Sequence, residues 1–311
     1  MHASSQVLAL FILILTGFAC AKLKITGPLT ADHFSKFVIN VTLPALLFAS
    51  FQRPFSSELL GEAGLALGLS AIVYGMAFLT AFFYPRLLKI KSPERGVHRY
   101  ALIISNCGFI GYPVVEAVLG PDYVFHAVIF NIPFSFLAFS VCAWLIYKES
   151  APDDTGSKRL NRKAFINPNL VAVILGLLFF VFSVTLPQPV FRGLKMIGDM
   201  TTPLSMILIG ITLAQADIRR VFGRWQIYAT VIMRLVILPS TAGLIFYLLG
   251  IRGPLFILGV LITAMPAGSA TSILASLYKT AEGEASSLVF LSTLLCMVTV
   301  PVVIAVTAFF G

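Results

Sequence analysis

One apolar segment of the chain is interrupted by Ser105-Asn-Cys-Gly-Phe-Ile-Gly-Tyr-Pro113, and a second is interrupted by Met265-Pro-Ala-Gly-Ser-Ala-Thr-Ser272. Glycine and proline destabilise a helix interior by about 1 and about 3 kcal/mol relative to alanine, so both stretches are predicted to unwind a helix. Unwound backbone is tolerated in a bilayer only where it is buried in protein or lines a wet cavity. The sequence therefore predicts two broken membrane helices.

The rest of the chain consists largely of apolar blocks. Of its 311 residues, 58% are hydrophobic and 11% are charged, whereas charged residues make up about a quarter of soluble domains. The blocks have the length of about 20 residues that a helix needs to cross a bilayer. We therefore predict an all-α polytopic membrane protein with ten transmembrane helices, at residues 5–23, 34–52, 60–84, 97–119, 122–147, 168–186, 193–214, 226–249, 254–277 and 286–309.

An internal repeat appears when the sequence is shifted against itself. Thr42 then matches Thr201, Pro44 matches Pro203, and the two interrupted segments superpose. Five spans per half is an odd number, so the second half is expected to enter the membrane with the opposite orientation. Inverted repeats with interrupted helices at matching places are typical of secondary transporters, whose substrate site lies at the breaks. The expected divisions are a first repeat at 1–147, a cytoplasmic linker at 148–164 and an inverted repeat at 165–311.

The distribution of positive charge predicts the orientation. Alternate loops, beginning after the first span, contain 17 Lys and Arg residues, whereas the other loops contain 4. Because positively charged loops stay in the cytoplasm, we expect a multi-pass protein of the plasma (inner) membrane with both termini external. Topology thus explains the net charge of +9, and no nucleic-acid partner is expected.

Each break creates a half-helix whose N-terminal N–H groups and dipole attract anions near the middle of the membrane. We expect the two half-helices to converge on one substrate site. The predicted substrate-binding residues at the breaks are Asn106, Gly108, Gly111, Pro113, Pro266, Gly268, Ser269 and Thr271.

Ionisable residues inside the spans are further candidates. Arg234 lies well inside the eighth span, and its counterpart in the first half is Gly75. A membrane-buried arginine is costly and is by default a functional hypothesis, with snorkelling to the surface as the alternative. Asp199 is a candidate proton or cation site, or a partner for Arg234. Glu62 and Glu116 are expected to be solvated near the outer interface.

Three stretches, Asn40–Phe48, Asn106–Pro113 and Met265–Pro301, resemble the auxin efflux carrier family, which includes plant PIN proteins and many bacterial permeases. The resemblance implies a fold similar to bile-acid and sodium/proton antiporters. Spans 1, 2, 6 and 7 would form a scaffold, spans 3–5 and 8–10 a moving core, and the crossing of spans 4 and 9 the substrate site. It also implies a homodimer, and substrates that include auxin in plants and malonate, malate or lactate in bacteria.

The short polar stretch at 148–163 favours a bacterial-type organic-anion permease, because the plant transporters often carry a long central loop. The second break departs from the first, since it has no asparagine equivalent to Asn106 and offers Ser269 and Thr271 instead.

The sequence therefore predicts a secondary carrier that moves small organic anions, in particular carboxylates, across the lipid bilayer by alternating access. No cofactor or metal is expected, and coupling to H⁺ or Na⁺ is left open. The alternatives are a cation/proton antiporter, which would need acidic residues at the breaks, and a sodium-coupled organic anion symporter. A channel is disfavoured by the broken repeats, and an enzyme by the lack of a nucleophile–base pair or nucleotide loop.

Overall fold

The computed structural model describes residues 2–138, 140–149, 168–215 and 224–310. It is 81% helical, and these residues contain no strand. The expected all-α class is confirmed, whereas most of the predicted linker at 148–164 lies outside the described residues. The α-helices are α1 (His2–Lys22), α2 (Pro28–Phe37), α3 (Leu43–Ser50), α4 (Ser57–Leu87), α5 (Glu94–Ile103), α6 (Tyr112–Leu119), α7 (Tyr123–Phe130), α8 (Ile132–Leu137), α9 (Val141–Glu149), α10 (Pro168–Val181), α11 (Gln188–Asp199), α12 (Thr201–Gln215), α13 (Trp225–Ile232), α14 (Leu238–Leu248), α15 (Pro254–Thr263), α16 (Ala270–Leu277) and α17 (Glu282–Thr307).

Several helical segments of the described residues are suited to a bilayer. Five are long and apolar enough to cross it, namely Pro28–Ser50, Ser57–Leu87, Gln188–Gln215, Trp225–Leu248 and Glu282–Thr307. Five shorter apolar helices are Gln6–Lys22, Cys107–Leu119, Tyr123–Phe134, Pro168–Val181 and Pro254–Thr263. Each of these ten segments overlaps one expected span. A polytopic membrane protein is thus supported, and the full count of ten crossings and the inverted repeat stay predictions.

The chain forms two compact units. The first comprises Met1–Ala66, Gly108–Phe130 and Ile166–Ala216, and the second comprises Leu67–Cys107, Asn131–Phe165 and Asp217–Gly311. Spans 1, 2, 6 and 7, which the family resemblance assigned to a scaffold, lie in the first unit. This unit also contains residues 60–66 of span 3 and the helices α6 and α7 of spans 4 and 5, so the structure divides three spans that the family resemblance assigned wholly to the moving core.

Close helix packing in the first unit depends on glycine. A Cβ atom on Gly17 of α1 would overlap the backbone oxygen of Ile207 in α12, and one on Gly210 would overlap the backbone oxygen of Ile14. Small residues allow such backbone contact between membrane helices, where dispersion forces rather than the hydrophobic effect drive packing. These two glycines therefore allow the first and seventh spans to pack with their backbones in contact.

In the second unit, a buried histidine links three helices through hydrogen bonds. His98 of α5 is fully buried, with its Nδ1 atom 2.7 Å from Oγ1 of Thr230 in α13. Its Nε2 atom lies 3.0 Å from Oε1 of Glu284 in α17. Since both ring nitrogens have partners, the polar cost of burying this side chain is offset. His98 thereby fixes the first half of span 4 against spans 8 and 10.

Short π-helical turns occur at Val38–Thr42, Cys107–Gly111 and Met233–Ile237. The helices that follow them contain Pro44, Pro113 and Pro239, each at the first or second position. Proline cannot donate the regular backbone hydrogen bond, and a wider π turn is one way in which a helix accommodates the loss. The last of these turns contains Arg234 and so sets the direction of its side chain.

Candidate functional site

The first break begins where α5 ends at Ile103. Ile104 has an extended backbone, with φ −96° and ψ 114°, and the π-helical turn Cys107–Gly111 follows before α6 begins at Tyr112. Extended backbone leaves N–H and C=O groups without helical partners, and these groups must find others when buried. The predicted interruption of the fourth span is confirmed.

The second break lies between α15, which ends at Thr263, and α16, which begins at Ala270. Ser269 is the N-cap residue of α16 and makes no side-chain capping hydrogen bond. Thr271 is fully buried, and its hydroxyl has no hydrogen-bond partner among the described residues. The break is thus confirmed too, and Ser269 and Thr271 place polar groups at the start of the second half-helix.

The two breaks pair through their backbones within the second unit. The N–H group of Asn106 donates to the carbonyl oxygen of Pro266 at 2.8 Å, and that of Gly268 donates to the carbonyl oxygen of Ile104 at 2.9 Å. These bonds flank an isolated antiparallel bridge between Ser105 and Ala267. The unwound segments therefore satisfy part of each other's hydrogen bonding, as a buried backbone requires.

Gly268 allows the close approach of the two segments. A Cβ atom at this position would lie 3.2 Å from Cγ2 of Ile104 and 3.3 Å from the carbonyl oxygen of Ser105. Side-chain carbon atoms rarely approach a neighbour so closely, so the Ile104 side chain or the backbone at Ser105 would have to shift by a few tenths of an ångström. Glycine at 268 is therefore explained by the pairing of the breaks.

Arg234 contacts both breaks. Its side chain is buried, with 3% of its surface exposed. The Nε atom donates to the carbonyl oxygen of Met265 at 3.1 Å, and Nη1 donates to the carbonyl oxygen of Leu102 at 2.9 Å. The structure therefore does not show the guanidinium snorkelling to a surface. It lies against the backbone of the two interrupted helices, and no carboxylate pairs with it among the described residues.

Ser292 in α17 is a polar residue of this region that sequence reasoning did not select. Its Oγ atom accepts a hydrogen bond from the N–H group of Ala267 at 3.1 Å, and the residue is almost fully buried. The signal was present in the stretch Leu291-Ser-Thr-Leu-Leu295, which contributed to the family resemblance. The stretch gave no indication that the serine hydroxyl holds the second break.

Gly108, Gly111 and Pro113 lie in the first unit. A Cβ atom on Gly108 would lie 3.3 Å from Cδ2 of Leu43, so this glycine allows the turn to pack against the second span. Gly111 is the N-cap of α6, and Pro113 occupies one of its first two positions, directly after the π-helical turn. These three residues shape the turn that follows Asn106 in the chain.

The acidic candidates also belong to the first unit. Both carboxylate oxygens of Asp199 accept from Nζ of Lys195, at 2.9 and 3.1 Å, and both side chains are about half exposed. Glu62 and Glu116 were expected to be solvated; both are partly exposed, and each also has a specific partner. Oε2 of Glu62 lies 2.8 Å from Nε2 of His126, and Oε2 of Glu116 accepts from Oγ1 of Thr202 at 2.8 Å.

Comparison with known proteins identifies the family. Residues 2–304 match the membrane transport protein family. The chain belongs to the auxin efflux carrier family. The resemblance seen at the breaks and in the second span is thereby confirmed over almost the whole chain. This family member is a membrane transporter and not an enzyme, because the family and the similar proteins are transporters.

Similar proteins span its full length. An uncharacterised transporter of Methanothermobacter thermautotrophicus is 29% identical over 304 residues, which cover 97% of each chain. The uncharacterised transporter YfdV of Escherichia coli K12 is 22% identical over 308 residues, covering 97% of this chain and 96% of that one. A Rhizobium meliloti protein whose name proposes it as a malonate transporter is 22% identical over 305 residues, covering 94% and 92%.

Proposed function

We propose that this member of the auxin efflux carrier family is a secondary carrier of small organic anions, and of carboxylates in particular. Transport would proceed by alternating access, with the substrate bound at the paired breaks of spans 4 and 9. The substrate-binding residues would be those at the breaks, together with Arg234. The homodimer implied by the family resemblance is part of the same proposal.

The observation that carries the proposal is the burial of Arg234 without a described carboxylate partner. A buried cation loses its hydration, and two backbone carbonyl oxygens compensate with dipoles and not with a full negative charge. The positive charge is therefore available to an anion that approaches the breaks. A guanidinium also matches the geometry of a carboxylate better than an ammonium does.

Three further observations agree with an anionic substrate. The half-helix α16 begins at the second break, and its N-terminal N–H groups favour negative charge. The buried hydroxyl of Thr271 has no described partner and could donate a hydrogen bond to a substrate oxygen. In addition, the similar protein from Rhizobium meliloti is named for malonate, a small dicarboxylate.

A cation/proton antiporter of the same fold is less well supported. A cation site at the breaks would need acidic ligands, and neither Ser105–Pro113 nor Met265–Ser272 contains an aspartate or glutamate. The buried charge contributed there by Arg234 is positive and would repel a cation. Both features favour an anion over Na⁺ as the species bound at the breaks.

A thermal-shift screen of the purified protein tests the substrate class. The panel would contain malonate, malate and lactate, each with and without sodium and at an acidic and a neutral pH. A ligand at about 100 times its dissociation constant stabilises the folded state by about 2.7 kcal/mol, which raises the melting temperature measurably. We expect at least one carboxylate to stabilise the wild type and to have no effect on Arg234→Gln. Stabilisation by sodium or protons alone, with no response to any carboxylate, would favour the antiporter.

A further inference from the structure

The first unit contains a cavity of about 430 Å³ whose lining includes charged residues. The positive-charge count predicts that it lies on the external side, because its wall includes the loop between spans 2 and 3. The Arg53 side chain in that loop is 19% exposed, so this wall is partly shielded from solvent. This burial lowers the pKa of Arg53, although nearby Asp122 raises it. The charged residues that line the cavity are Arg53, Glu116, Asp122, Lys195 and Asp199.

Two of the three carboxylates in this cavity already have a basic partner. Asp122 lies 3.4 Å from Nη2 of Arg53, and Asp199 lies 2.9 Å from Nζ of Lys195. Glu116 has no basic partner among the described residues, and its Oε2 atom accepts a hydrogen bond from the hydroxyl of Thr202 at 2.8 Å. The five charged groups leave one negative charge unmatched, and the contacts assign that charge to Glu116.

The helices packed against α6 supply no basic group to Glu116. The helices that pack most extensively against α6 in the described part of the chain are α1, α7 and α12. In α12 there is no charged residue, and in α1 the described titratable side chains are Cys20 and Lys22, with Nζ of Lys22 bonded to the carbonyl oxygen of Ala214 at 3.1 Å. In α7 the titratable residues are Tyr123 and His126, and His126 is paired with Glu62 at 2.8 Å.

The contact with Thr202 suits either protonation state of Glu116. A hydroxyl donates a hydrogen bond to an ionised carboxylate and accepts one from a protonated carboxylic acid. The change of the Thr202 hydroxyl from donor to acceptor needs only a rotation of its hydrogen. Glu116 therefore keeps this partner in either state. An Arg or Lys partner would allow no such exchange, because these cations have no acceptor.

The position of Glu116 connects the cavity with the first break. It lies four residues after Tyr112, where α6 begins, which places it about 6 Å along the helix axis at 1.5 Å per residue. Thr202 in turn follows Thr201, one of the residues repeated between the two halves. A change of charge at Glu116 therefore acts on the half-helix that starts at the break.

We propose that Glu116 is a proton-binding site that couples organic-anion transport to the pH gradient. One carboxylate oxygen takes up a proton from the side of lower pH, and the same proton is released after the carrier has changed its orientation. The inference rests on the proposed carrier function and adds its coupling ion. It assigns the proton to Glu116 in preference to Asp199, whose charge is matched by Lys195.

Transport by the full-length protein in proteoliposomes tests this assignment, with radiolabelled malonate as the probe. One assay measures accumulation driven by an imposed pH gradient, and the other measures exchange of internal for external malonate at equal pH. We expect Glu116→Gln to reduce gradient-driven accumulation at least about tenfold, which corresponds to about 1.4 kcal/mol of lost coupling, while exchange stays within about twofold of the wild type. Continued exchange also shows that the variant folds.

Asp122→Asn is the matched control, because it removes a carboxylate of the same cavity that has a basic partner. We expect it to retain gradient-driven accumulation. The proposal is overturned if Glu116→Gln accumulates malonate as the wild type does, if both carboxylate variants lose accumulation equally, or if a sodium gradient replaces the pH gradient as the driving force.

A second readout separates this proposal from the proposed substrate class. If the wild type neither accumulates nor exchanges malonate, the proposal that the substrate is a carboxylate such as malonate fails. Infrared difference spectra between acidic and neutral pH then decide the role of Glu116 on the same samples. The proposal expects a carboxylic-acid band that is present in the wild type and in Asp122→Asn and absent from Glu116→Gln. Identical spectra for all three proteins would overturn it.

Discussion

The Nη1 atom of Arg234 lies 2.9 Å from the carbonyl oxygen of Leu102, the next-to-last residue of the helix that leads into the first break. The Nε atom of the same guanidinium bonds to Met265 at the second break. One positive charge is thus hydrogen-bonded to the last turn of the helix before the first break and to the backbone of the second break. An anion that pairs with Arg234 would compete with these carbonyl oxygens, so substrate binding and the geometry of the breaks are expected to be linked.

Asn106 is expected to contribute its side-chain amide to the substrate. Its backbone N–H group maintains the pairing with Pro266, and this bond survives truncation of the side chain. We therefore expect Asn106→Ala to lower uptake at least about tenfold, the effect of losing one or two polar contacts, with little change in yield or melting temperature. Normal uptake of a carboxylate in proteoliposomes would show that the break needs only its backbone.

Gly108 is expected to be intolerant of bulk, because a Cβ atom there already approaches Leu43 at 3.3 Å. Gly108→Leu should abolish transport while the protein still inserts and folds, since the atom nearest to the added Cβ is the end of the flexible Leu43 side chain. Gly120, which has open space around it, is unsuitable as a control because of its φ of +95°. A Cβ atom on Gly64 of α4 has nothing within 4 Å, so Gly64→Leu serves instead, with uptake expected near the wild-type level.

Gly268 tests whether the backbone pairing of the two breaks matters. Gly268→Val introduces a branched side chain against Ile104 and Ser105, and such overpacking typically costs about 1–3 kcal/mol. We expect a lower melting temperature and loss of carboxylate binding in the same thermal-shift experiment. Gly268→Ala should show a smaller effect of the same sign. Wild-type behaviour of the valine variant would mean that the two segments do not approach each other as described.

The contact between α1 and α12 is predicted to limit the stability of the first unit. Gly210→Ala would place a methyl group against the backbone of Ile14, and a backbone cannot move aside as a flexible side chain can. We expect this variant to unfold at a distinctly lower temperature in detergent. Gly75→Ala is the control, since nothing lies within 4 Å of a Cβ atom there. Equal melting temperatures for both variants would contradict the close packing of these helices.

Membrane orientation is testable with single cysteines. Ser157→Cys lies in the polar stretch at 148–163, outside the described residues, and Gln188→Cys lies at the exposed start of α11. The bias of 17 to 4 positive charges predicts that a membrane-impermeant thiol reagent labels Gln188→Cys in intact cells. Ser157→Cys should react only after the cells are opened. The reverse pattern would invert the orientation.

The helices and their interruptions could be predicted because they depend on local chemistry. Glycine and proline at Gly108, Pro113, Pro266 and Gly268 indicate where a helix cannot continue, and both breaks occur there. Their direct pairing follows from tertiary structure, because it joins backbone atoms of Asn106 and Pro266 that local patterns do not connect. The repeat gave only an indirect indication of it.

Polar partners were harder to predict. The contact between Glu116 and Thr202 joins residues 86 positions apart, and no periodic pattern specifies such a pair. Asp199 is a different case, because its partner Lys195 lies four residues earlier on the same helix. That spacing is typical of an ion pair on a helix, so the sequence itself argues against Asp199 as a proton site.

Uptake of radiolabelled malonate by proteoliposomes containing wild type, Arg234→Lys or Arg234→Gln tests the carrier account most directly. Lysine keeps the charge but not the two-pronged geometry that fits a carboxylate, and glutamine loses the charge. The account predicts saturable uptake by the wild type, a reduction of about tenfold in Arg234→Lys and almost none in Arg234→Gln, at equal amounts of folded protein. Uptake and malonate affinity of Arg234→Gln equal to those of the wild type would contradict it.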